Sequence, residues 1–257
     1  WNSPHRVTFK GHDKFYSRSS NGKYPLDVAE LRTAFNISES ITDRIRKFRE
    51  NRLAKIFANE IHLHPKAKIV LHLLPIISFA PAKSYDISKI VSNPSKITTI
   101  SGPIPQNILN FDGFLAYSSY SYTQLFRNGI IEAVYGLRSE EIHKEKLIFP
   151  TYEEKLIEAL DIYLSTLKSL GVVPPIFVSL ALHGVKGYSM DYENNSTEKV
   201  QRIDRDVLLI PEVLVESYNV SVKDVLRLCF NSIWNACGYP RSFNYDDKGK
   251  WVESKSK

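Results

Sequence analysis

The order of strand-like and helix-like segments constrains the fold of this chain more than any other feature of its sequence. Five segments are rich in apolar, aromatic or β-branched side chains, as strands are, namely residues 68–79, 111–120, 122–135, 176–182 and 207–216. Helix patterns follow the third and the fifth of these segments, over residues 150–170 and 221–238. The order strand, strand, strand, helix and then strand, strand, helix predicts an α+β fold with mixed sheets, in two parts.

Both predicted helices have recognisable ends. Thr151 and Glu154 predict a capping box at the start of the first helix, and a glycine just beyond its last apolar residue marks its C-terminal end. Ser221 and Asp224 predict the start of the second helix. Residues 80–110 are rich in Pro, Ser, Asn and Lys with little periodicity, which predicts a long surface excursion between strands.

The first quarter of the chain has its own pattern of elements. Residues 6–18 predict two short strands around a turn, and Gly22 and Pro25 then break the chain. We expect these strands to form the edge of a sheet whose other strands are missing. Asp27 and Glu30 form a capping-box pattern that opens a short helix. A second helix is predicted after it, from about Ser38 to Glu60.

Two arginines lie on the packing side of that second helix. At about 100° per residue, Arg49 and Arg52 fall within the stripe of apolar residues. Three other cations fall toward its outer margin, namely Arg44, Lys47 and Lys55. One interpretation pairs the two arginines with carboxylates or carbonyls, because an unpaired buried charge costs several kcal/mol. The other directs them at phosphate, which suits the planar guanidinium fork.

Positive charge is concentrated in the same quarter of the chain. Residues 1–60 contain twelve Lys or Arg against seven Asp or Glu, so they carry +5 of the net charge of +6. This balance favours phosphate-bearing partners, although a charge of this size also keeps many proteins soluble. We therefore expect a basic domain over residues 1–60, an α+β domain over residues 61–257, and DNA or RNA as the partner.

Length and composition exclude several classes of protein. With 257 residues, of which 43% are hydrophobic and 24% charged, the chain can bury an adequate core without metals or disulfides. Its apolar runs are too short for a membrane span. Cys229 and Cys237 lie two helical turns apart and are expected in the core, which, with no secretory signal, favours the cytoplasm. The chain begins at Trp1 and its only methionine is Met190, so we expect a fragment or a processed product.

Motifs of the common catalytic and cofactor sites are missing from the sequence. It has no Gly-rich loop followed by Lys and Ser or Thr, and no nucleophile elbow. His62, His64 and His72 lack the spacing of an established zinc motif, so we expect solvated or core histidines. We therefore predict no cofactor, no metal and no catalytic residue within this chain.

Two other functions stay open beside nucleic-acid binding. Residues 117–126 are rich in tyrosine, which suits either cross-strand packing or an interface with a second copy or an effector protein. Asp204, Asp206 and Glu212 form an acidic cluster that a metal-dependent nuclease could use, although the same cluster suits a turn entering a strand.

Several segments of the first 55 residues resemble a known prokaryotic domain. They are Trp-Asn-Ser-Pro-His-Arg-Val at 1–7, Phe-Lys-Gly-His-Asp-Lys-Phe-Tyr-Ser-Arg at 9–18, Tyr-Pro-Leu-Asp at 24–27 and Ile-Arg-Lys-Phe-Arg-Glu-Asn-Arg-Leu at 45–53. The first three look like the C-terminal end of the Schlafen-type AlbA-like domain, and the fourth is similar to the helix that follows it. Residues 67–257 are similar to the less characterised region found after that domain.

The resemblance implies the C-terminal part of a bacterial regulatory or anti-phage defence protein with a nucleic-acid-linked role. Some Schlafen relatives cut RNA, but the acidic nuclease residues of the family belong to the part preceding Trp1. We therefore expect binding rather than catalysis from these residues. From the resemblance and from the helix pattern together, the predicted nucleic-acid contacts are Arg6, Lys10, Lys14, Arg18, Arg49 and Arg52.

Overall fold

The protein consists of two structural units, which are described separately. The computed structural model describes residues 5–9, 12–19, 22–137, 146–192 and 201–252. The division falls after Ala58, so that the N-terminal unit covers residues 1–58 and the C-terminal unit covers residues 59–257. Helices occur together with antiparallel sheets, and the predicted α+β class is confirmed.

Three short strands form the sheet of the N-terminal unit: β1 (His5–Phe9), β2 (His12–Ser19) and β3 (Gly22–Pro25). They are antiparallel neighbours in chain order. The two predicted strands are confirmed, but the predicted break at Gly22 and Pro25 is wrong because β3 lies there. Pro25 is the last residue of β3, which pairs with β2 at the edge of the sheet. At the end of an edge strand, the missing N–H of proline need not break a hydrogen bond between strands.

One long helix, α1 (Val28–Phe57), follows the sheet. Its capping box is confirmed, because Glu30 N donates to Asp27 Oδ1 at 2.7 Å and Asp27 N donates to Glu30 Oε2 at 3.0 Å. The prediction of two separate helices is wrong. Residues 36–40 include four weak helix formers, at positions 36, 37, 38 and 40, but neither Gly nor Pro, and each of the four costs only about 0.5 kcal/mol. An established helix propagates through such a stretch.

A large antiparallel sheet forms the centre of the C-terminal unit. Its strands are β4 (Lys68–Pro75), β5 (Gln106–Leu109), β6 (Gly113–Tyr117), β7 (Ser121–Phe126), β8 (Ile131–Gly136), β10 (Ile176–His183), β12 (Val207–Leu209) and β13 (Val213–Val215). Their spatial order is β12, β10, β4, β8, β7, β6, β5, and β13 also pairs with β10. The prediction of mixed sheets implies some parallel pairing. Among the described residues, parallel pairing occurs only between two short strands outside the large sheet, β9 (Leu147–Ile148) and β11 (Ser189–Met190).

The predicted division of this unit into two parts is wrong, because β10 lies beside β4 along its whole length. The pairing runs from Ile176 opposite Pro75 to His183 opposite Lys68. It joins the strands from both halves of the sequence in one sheet. The prediction of a single strand over residues 207–216 is also wrong, since β12 and β13 are two separate strands. Pro211 lies between them and has no N–H to donate to a neighbouring strand.

Two helices, α3 (Tyr152–Ser169) and α4 (Val222–Ala236), supply most of the helical part of the core. Their apolar side chains share one buried cluster with alternate residues of β4, and both cysteines lie within it as predicted. The Ser221 cap is confirmed, but Thr151 makes no side-chain cap. The first N–H groups of α3 instead donate to the carbonyls of Phe149 and Pro150, at 3.0 and 3.1 Å.

Residues 80–110 are not a simple surface excursion. They contain α2 (Ser88–Val91), a short 3₁₀ helix at Pro94–Lys96 and β5. Four isoleucines in this segment are buried in the main core, namely Ile87, Ile90, Ile97 and Ile100. A prediction based on composition misses these anchors, because polar and proline residues surround them in the sequence.

A buried carboxylate ties the end of the chain to α3. Glu153 is wholly buried, and its Oε1 accepts from Trp234 Nε1 at 2.6 Å, while its Oε2 accepts from Ser242 Oγ at 2.8 Å and Asn244 Nδ2 at 2.9 Å. Tyr152 Oη donates to Oε1 at 3.2 Å. Burial raises the pKa of Glu153 to about 6, and the four hydrogen bonds oppose this rise. We call this arrangement the Glu153 clasp.

Candidate nucleic-acid interface

The strand register divides the cations predicted to contact nucleic acid in the N-terminal sheet. Side chains alternate between the two faces of a strand. The register of β1 to β3 therefore puts the positions of Lys14, Arg18 and Lys23 on one face and that of Arg6 on the other. Lys10 lies outside the described residues. A ligand lying on one face of this sheet would thus meet only part of the predicted set.

Lysines and an aromatic ring occur together on the first of these faces. Lys14 and Lys23 are exposed, and Lys23 Nζ lies 4.4 Å from the centre of the half-buried Tyr16 ring. This distance is within the range of a cation–π interaction. The side chains of Arg6 and Arg18 lie outside the described part of the structure. Exposed cations beside an aromatic ring are the combination that single-stranded nucleic acids bind through charge and stacking.

Arg49 and Arg52 have the intermediate exposure that the helix pattern predicts. Both are half-buried, on the side of α1 that buries Ile45, Leu53 and Ile56. Both arginines have an interaction partner, but so do the exposed Arg44 and Lys55, so a partner alone does not separate the two groups. Of the two interpretations of Arg49 and Arg52, their half-burial favours the structural one, in which the guanidiniums are matched by groups of the protein.

An exposed row of polar side chains runs along the opposite side of α1. Arg44, Lys47, Asn51 and Lys55 follow one another at steps of three, four and four residues and are all exposed. This spacing aligns side chains on one helical face, so the row covers about 16 Å along the helix axis. It contains three cations, one amide and no carboxylate. We call these four residues the basic stripe.

Positively charged residues outnumber negative ones in the segment that contains the stripe. Residues 44–55 contain six Lys or Arg and one carboxylate, that of Glu50. Arg46 lies 3.8 Å from Asp43, but both side chains are more than half exposed, so this pair contributes less than about 1 kcal/mol. Lys55 also lies in the last turn of the helix, where the helix dipole favours positive side chains.

The sequence contains the signal for the basic stripe. The predicted nucleic-acid contacts on this helix, however, are Arg49 and Arg52 and include no residue of the stripe. The spacing of Arg44, Lys47 and Lys55 is visible in the sequence, and the helix pattern already places them toward the outside. A pair of arginines within an apolar stripe is unusual, but unusual placement indicates a packing requirement more often than a ligand site.

A second polar group lies within the large sheet. Ser179, His72, Glu132 and Gln124 are opposite one another on β10, β4, β8 and β7, and each is at most 3% exposed. His72 Nε2 donates to Glu132 Oε2 at 3.0 Å, and Tyr122 Oη donates to Glu132 Oε1 at 2.9 Å. His72 is thus a core histidine, as predicted.

This row contains the residue types of a hydrolase triad but not its geometry. Within the described structure Ser179 Oγ has no hydrogen-bond partner, so His72 is not placed to take its proton. Burial of every member also keeps a substrate away. We therefore assign the row a structural role, in which polar groups fix the register of the central strands.

The alternative interface over residues 117–126 is largely buried. Tyr122, Thr123, Gln124 and Leu125 are at most 3% exposed and lie in the middle of the sheet. The prediction that this segment forms a docking surface is therefore wrong for its central residues, and cross-strand packing accounts for their type. His62 and His64, in contrast, are exposed as predicted.

The acidic cluster proposed for a nuclease is dispersed. Asp204 accepts from the side chain of its neighbour Arg205 at 2.8 and 3.0 Å, while Asp206 lies 3.9 Å from His183 Nδ1. Within the described ranges, no three His, Cys, Asp or Glu residues are grouped so as to hold a metal ion. Asp204 and Asp206 with Glu212 thus form no site in this structure.

One cleft of about 160 Å³ lies beside α3, where residues of β8, β9 and α3 line it. Its lysine is engaged, because Lys155 Nζ donates to Tyr135 Oη at 3.3 Å and lies 5.2 Å from the centre of the same ring. The lysine of the cleft therefore already interacts with Tyr135, and the cleft does not present it as a vacant site for an anion. Among the described helices, none combines the length and apolar character needed to cross a membrane.

Comparison with known proteins adds no relative. The chain matches no protein-family model, no curated protein and no solved structure at a significant level. Its similarity to Schlafen-type proteins accordingly stays a prediction, and the geometry of α1 and the N-terminal sheet is what bears on function.

Proposed function

We propose that this chain is a nucleic-acid-binding module and that the basic stripe of α1 is the centre of contact. The observation that carries this proposal is a single exposed helical face with three cations, one amide and no carboxylate. Binding to a phosphate backbone requires accessible positive charge and hydrogen-bond donors. The stripe supplies both on an exposed face, whereas Arg49 and Arg52 are half-buried.

The dimensions of the stripe suit a nucleic-acid backbone. Successive phosphates of one strand are about 3.4 Å apart along a duplex axis, so a row of about 16 Å extends over four to five of them. The amide of Asn51 can donate to a phosphate oxygen between the cations. The face of the N-terminal sheet that holds Lys14, Lys23 and Tyr16 belongs to the same unit and offers further contacts.

The broader biological role proposed here rests on the sequence. The motifs at residues 1–27 and 45–53 support membership of a bacterial Schlafen-type regulatory or anti-phage defence protein, to which this chain contributes binding rather than catalysis. The buried free thiols of Cys229 and Cys237 fit a reducing cytoplasm. Both DNA and RNA present the phosphates that the stripe would contact.

The proposal is tested by replacing the cations of the stripe together. The full chain and the triple variant Arg44→Gln, Lys47→Gln, Lys55→Gln are titrated against fluorescent single-stranded RNA, single-stranded DNA and duplex DNA, from about 50 to 200 mM salt. We expect the variant to bind at least about tenfold more weakly, and its slope of log K against log salt to fall by about 2 to 3.

The matched control removes the same charge from the C-terminal unit, in the variant Lys89→Gln, Lys168→Gln, Lys248→Gln, whose lysines are exposed. This control should bind like the wild type. A second comparison uses Arg49→Gln with Arg52→Gln, which should lower the melting temperature more than the affinity. The proposal is overturned by an absence of binding at low salt, or by an equal loss of affinity in the control.

A further inference from the structure

The large sheet ends at β5, and among the described residues no strand pairs with the outer side of β5. All four residues of β5 are exposed, with Ile108 at 44% and Leu109 at 54%. Two more large apolar side chains flank the strand, Ile104 at 96% and Phe111 at 94%. An edge strand with exposed apolar side chains is a template for pairing with another strand.

The same edge is almost free of charge. Asp112 is the only charged residue between positions 97 and 126, although the whole chain carries +6. Proteins commonly protect edge strands with lysines or inward-pointing charges, and β5 has neither. Pro103 and Pro105 limit how far the strand can extend toward the N-terminus.

The hydrogen-bonding pattern identifies the backbone groups that face outward. Asn110 N donates to Gly113 O at 3.0 Å, so these residues form a hydrogen-bonded pair at the end of the hairpin. Hydrogen-bonded pairs alternate along antiparallel strands. Ile108 and Gln106 therefore bond to β6, and the N–H and C=O groups of Asn107 and Leu109 point away from the sheet.

The next ladder supports this assignment independently. Ser118 N donates to Ser121 O at 2.8 Å and Arg127 N donates to Asp112 O at 2.9 Å, so the even-numbered residues near both ends of β6 bond toward β7. The odd-numbered residues of β6 are then the ones that bond toward β5. Leu115 lies opposite Ile108, as the pattern requires.

We propose that β5 is a dimerisation strand, which pairs in antiparallel fashion with β5 of a second copy of this chain. In the register centred on Ile108, Asn107 lies opposite Leu109 of the partner subunit, and the reverse pair forms by symmetry. Each of these two pairs exchanges two backbone hydrogen bonds. Ile108 lies opposite its own symmetry mate, in a non-hydrogen-bonded pair, where side chains approach most closely.

Charge and symmetry favour a second copy as the occupant. Two chains of net charge +6 repel each other, and the uncharged stretch around β5 is where they can approach with the least repulsion. With a single anion and no cation, the edge offers nothing to a charged peptide. Two-fold pairing also covers the β5 edge of both copies, so no β5 strand remains for a third copy and the assembly is a dimer.

The first test is the mass of the full chain in solution, measured by light scattering during size-exclusion chromatography. We expect twice the chain mass of 29.5 kDa. Leu109→Lys puts a cation on the pairing strand, next to the central Ile108, and should raise the dimer dissociation constant at least about tenfold. The control Val173→Lys changes a side chain of nearly the same exposure, 55% against 54%, elsewhere on the surface and should stay dimeric.

The second test resolves the register by disulfide formation. Ile108→Cys should give a cross-linked dimer under mild oxidation, because a non-hydrogen-bonded pair places the two Cα atoms about 4.5 Å apart. Leu109→Cys is the matched control, since its symmetry mate is a diagonal neighbour beyond about 7 Å. The native Cys229 and Cys237 are buried and should not interfere.

A monomeric wild-type chain overturns this inference, as does cross-linking of Leu109→Cys in preference to Ile108→Cys. Dimerisation that survives Leu109→Lys unchanged overturns it equally, because it places the interface elsewhere. The inference goes beyond the proposed nucleic-acid binding and can fail separately from it. A monomeric Leu109→Lys variant should keep the salt dependence of nucleic-acid binding that the basic stripe confers.

Discussion

Two groups of charged side chains, one in each unit of this protein, differ in their burial. In the C-terminal unit, Glu132 and Glu153 are wholly buried, and each accepts hydrogen bonds from side chains of other strands, helices or loops. In the N-terminal unit, the cations of the basic stripe lie in a row at the surface of one helix. A buried charge with several donors determines how its surroundings pack, whereas an exposed row stays accessible to a ligand. The comparison indicates that placement, rather than amount, distinguishes the charges that organise packing from those that stay at the surface.

The largest expected effect is the loss of the Glu153 clasp. Glu153→Ala leaves the donors of Trp234, Ser242 and Asn244 unpaired in the interior. We expect the free energy of unfolding to fall by about 3 to 5 kcal/mol, measured by chemical denaturation at pH 7. Glu158→Ala removes an exposed carboxylate from the same helix and should change stability by less than about 0.5 kcal/mol. Similar losses in the two variants would remove the distinction between buried and exposed charge.

The titration of Glu153 should change the free energy of unfolding by an intermediate amount. The pKa of Glu153 is raised from its ordinary 4.5 to about 6 by burial. The folded state therefore binds the proton more tightly than the unfolded state. The contribution of this group to the free energy of unfolding is greatest below pH 4.5, and about 2 kcal/mol of it is lost as the pH rises through 6.

Comparing wild type with Glu153→Gln isolates this contribution, because Gln does not titrate. The stability of the wild type relative to the variant should decrease between pH 4.5 and pH 7, as followed by denaturant midpoints. An increase over that interval would mean that the hydrogen bonds outweigh burial and that the pKa is lowered.

The smallest effect on stability should come from the basic stripe. The triple variant Arg44→Gln, Lys47→Gln, Lys55→Gln removes three charges but no buried side chain. We expect a change of at most about 0.5 kcal/mol per site, measured by thermal denaturation at physiological salt. A large loss of stability would assign these cations to the fold and would weaken the contrast between the two units.

Much of the fold could be predicted from local patterns. The α+β class, the capping box of Asp27 and Glu30, the Ser221 cap and the core positions of both cysteines are confirmed. Caps and periodicity depend on neighbours in the sequence, which the sequence displays directly. The pairing of β10 with β4 depends instead on residues about 100 positions apart, and no local pattern specifies it.

The candidate site shows the same limit. Periodicity was enough to separate the inner from the outer cations of α1, but it could not show which of them pack against other groups. Lys14 and Arg18 lie on one face of the N-terminal sheet and Arg6 on the other because of the strand register. Once the position of the turn is known, the alternation of side chains predicts this arrangement. The Glu153 clasp lay beyond prediction, because its donors come from α4 and from the residues after Arg241.

The Glu153 clasp has a consequence for synthesis of the protein on the ribosome. Glu153 is translated about 90 residues before Ser242 and Asn244, so the nascent chain holds a carboxylate whose last donors do not yet exist. The C-terminal unit can complete its interior only after these residues leave the exit tunnel. Its final packing therefore waits for the last donors of Glu153, however early the strands of the large sheet begin to associate.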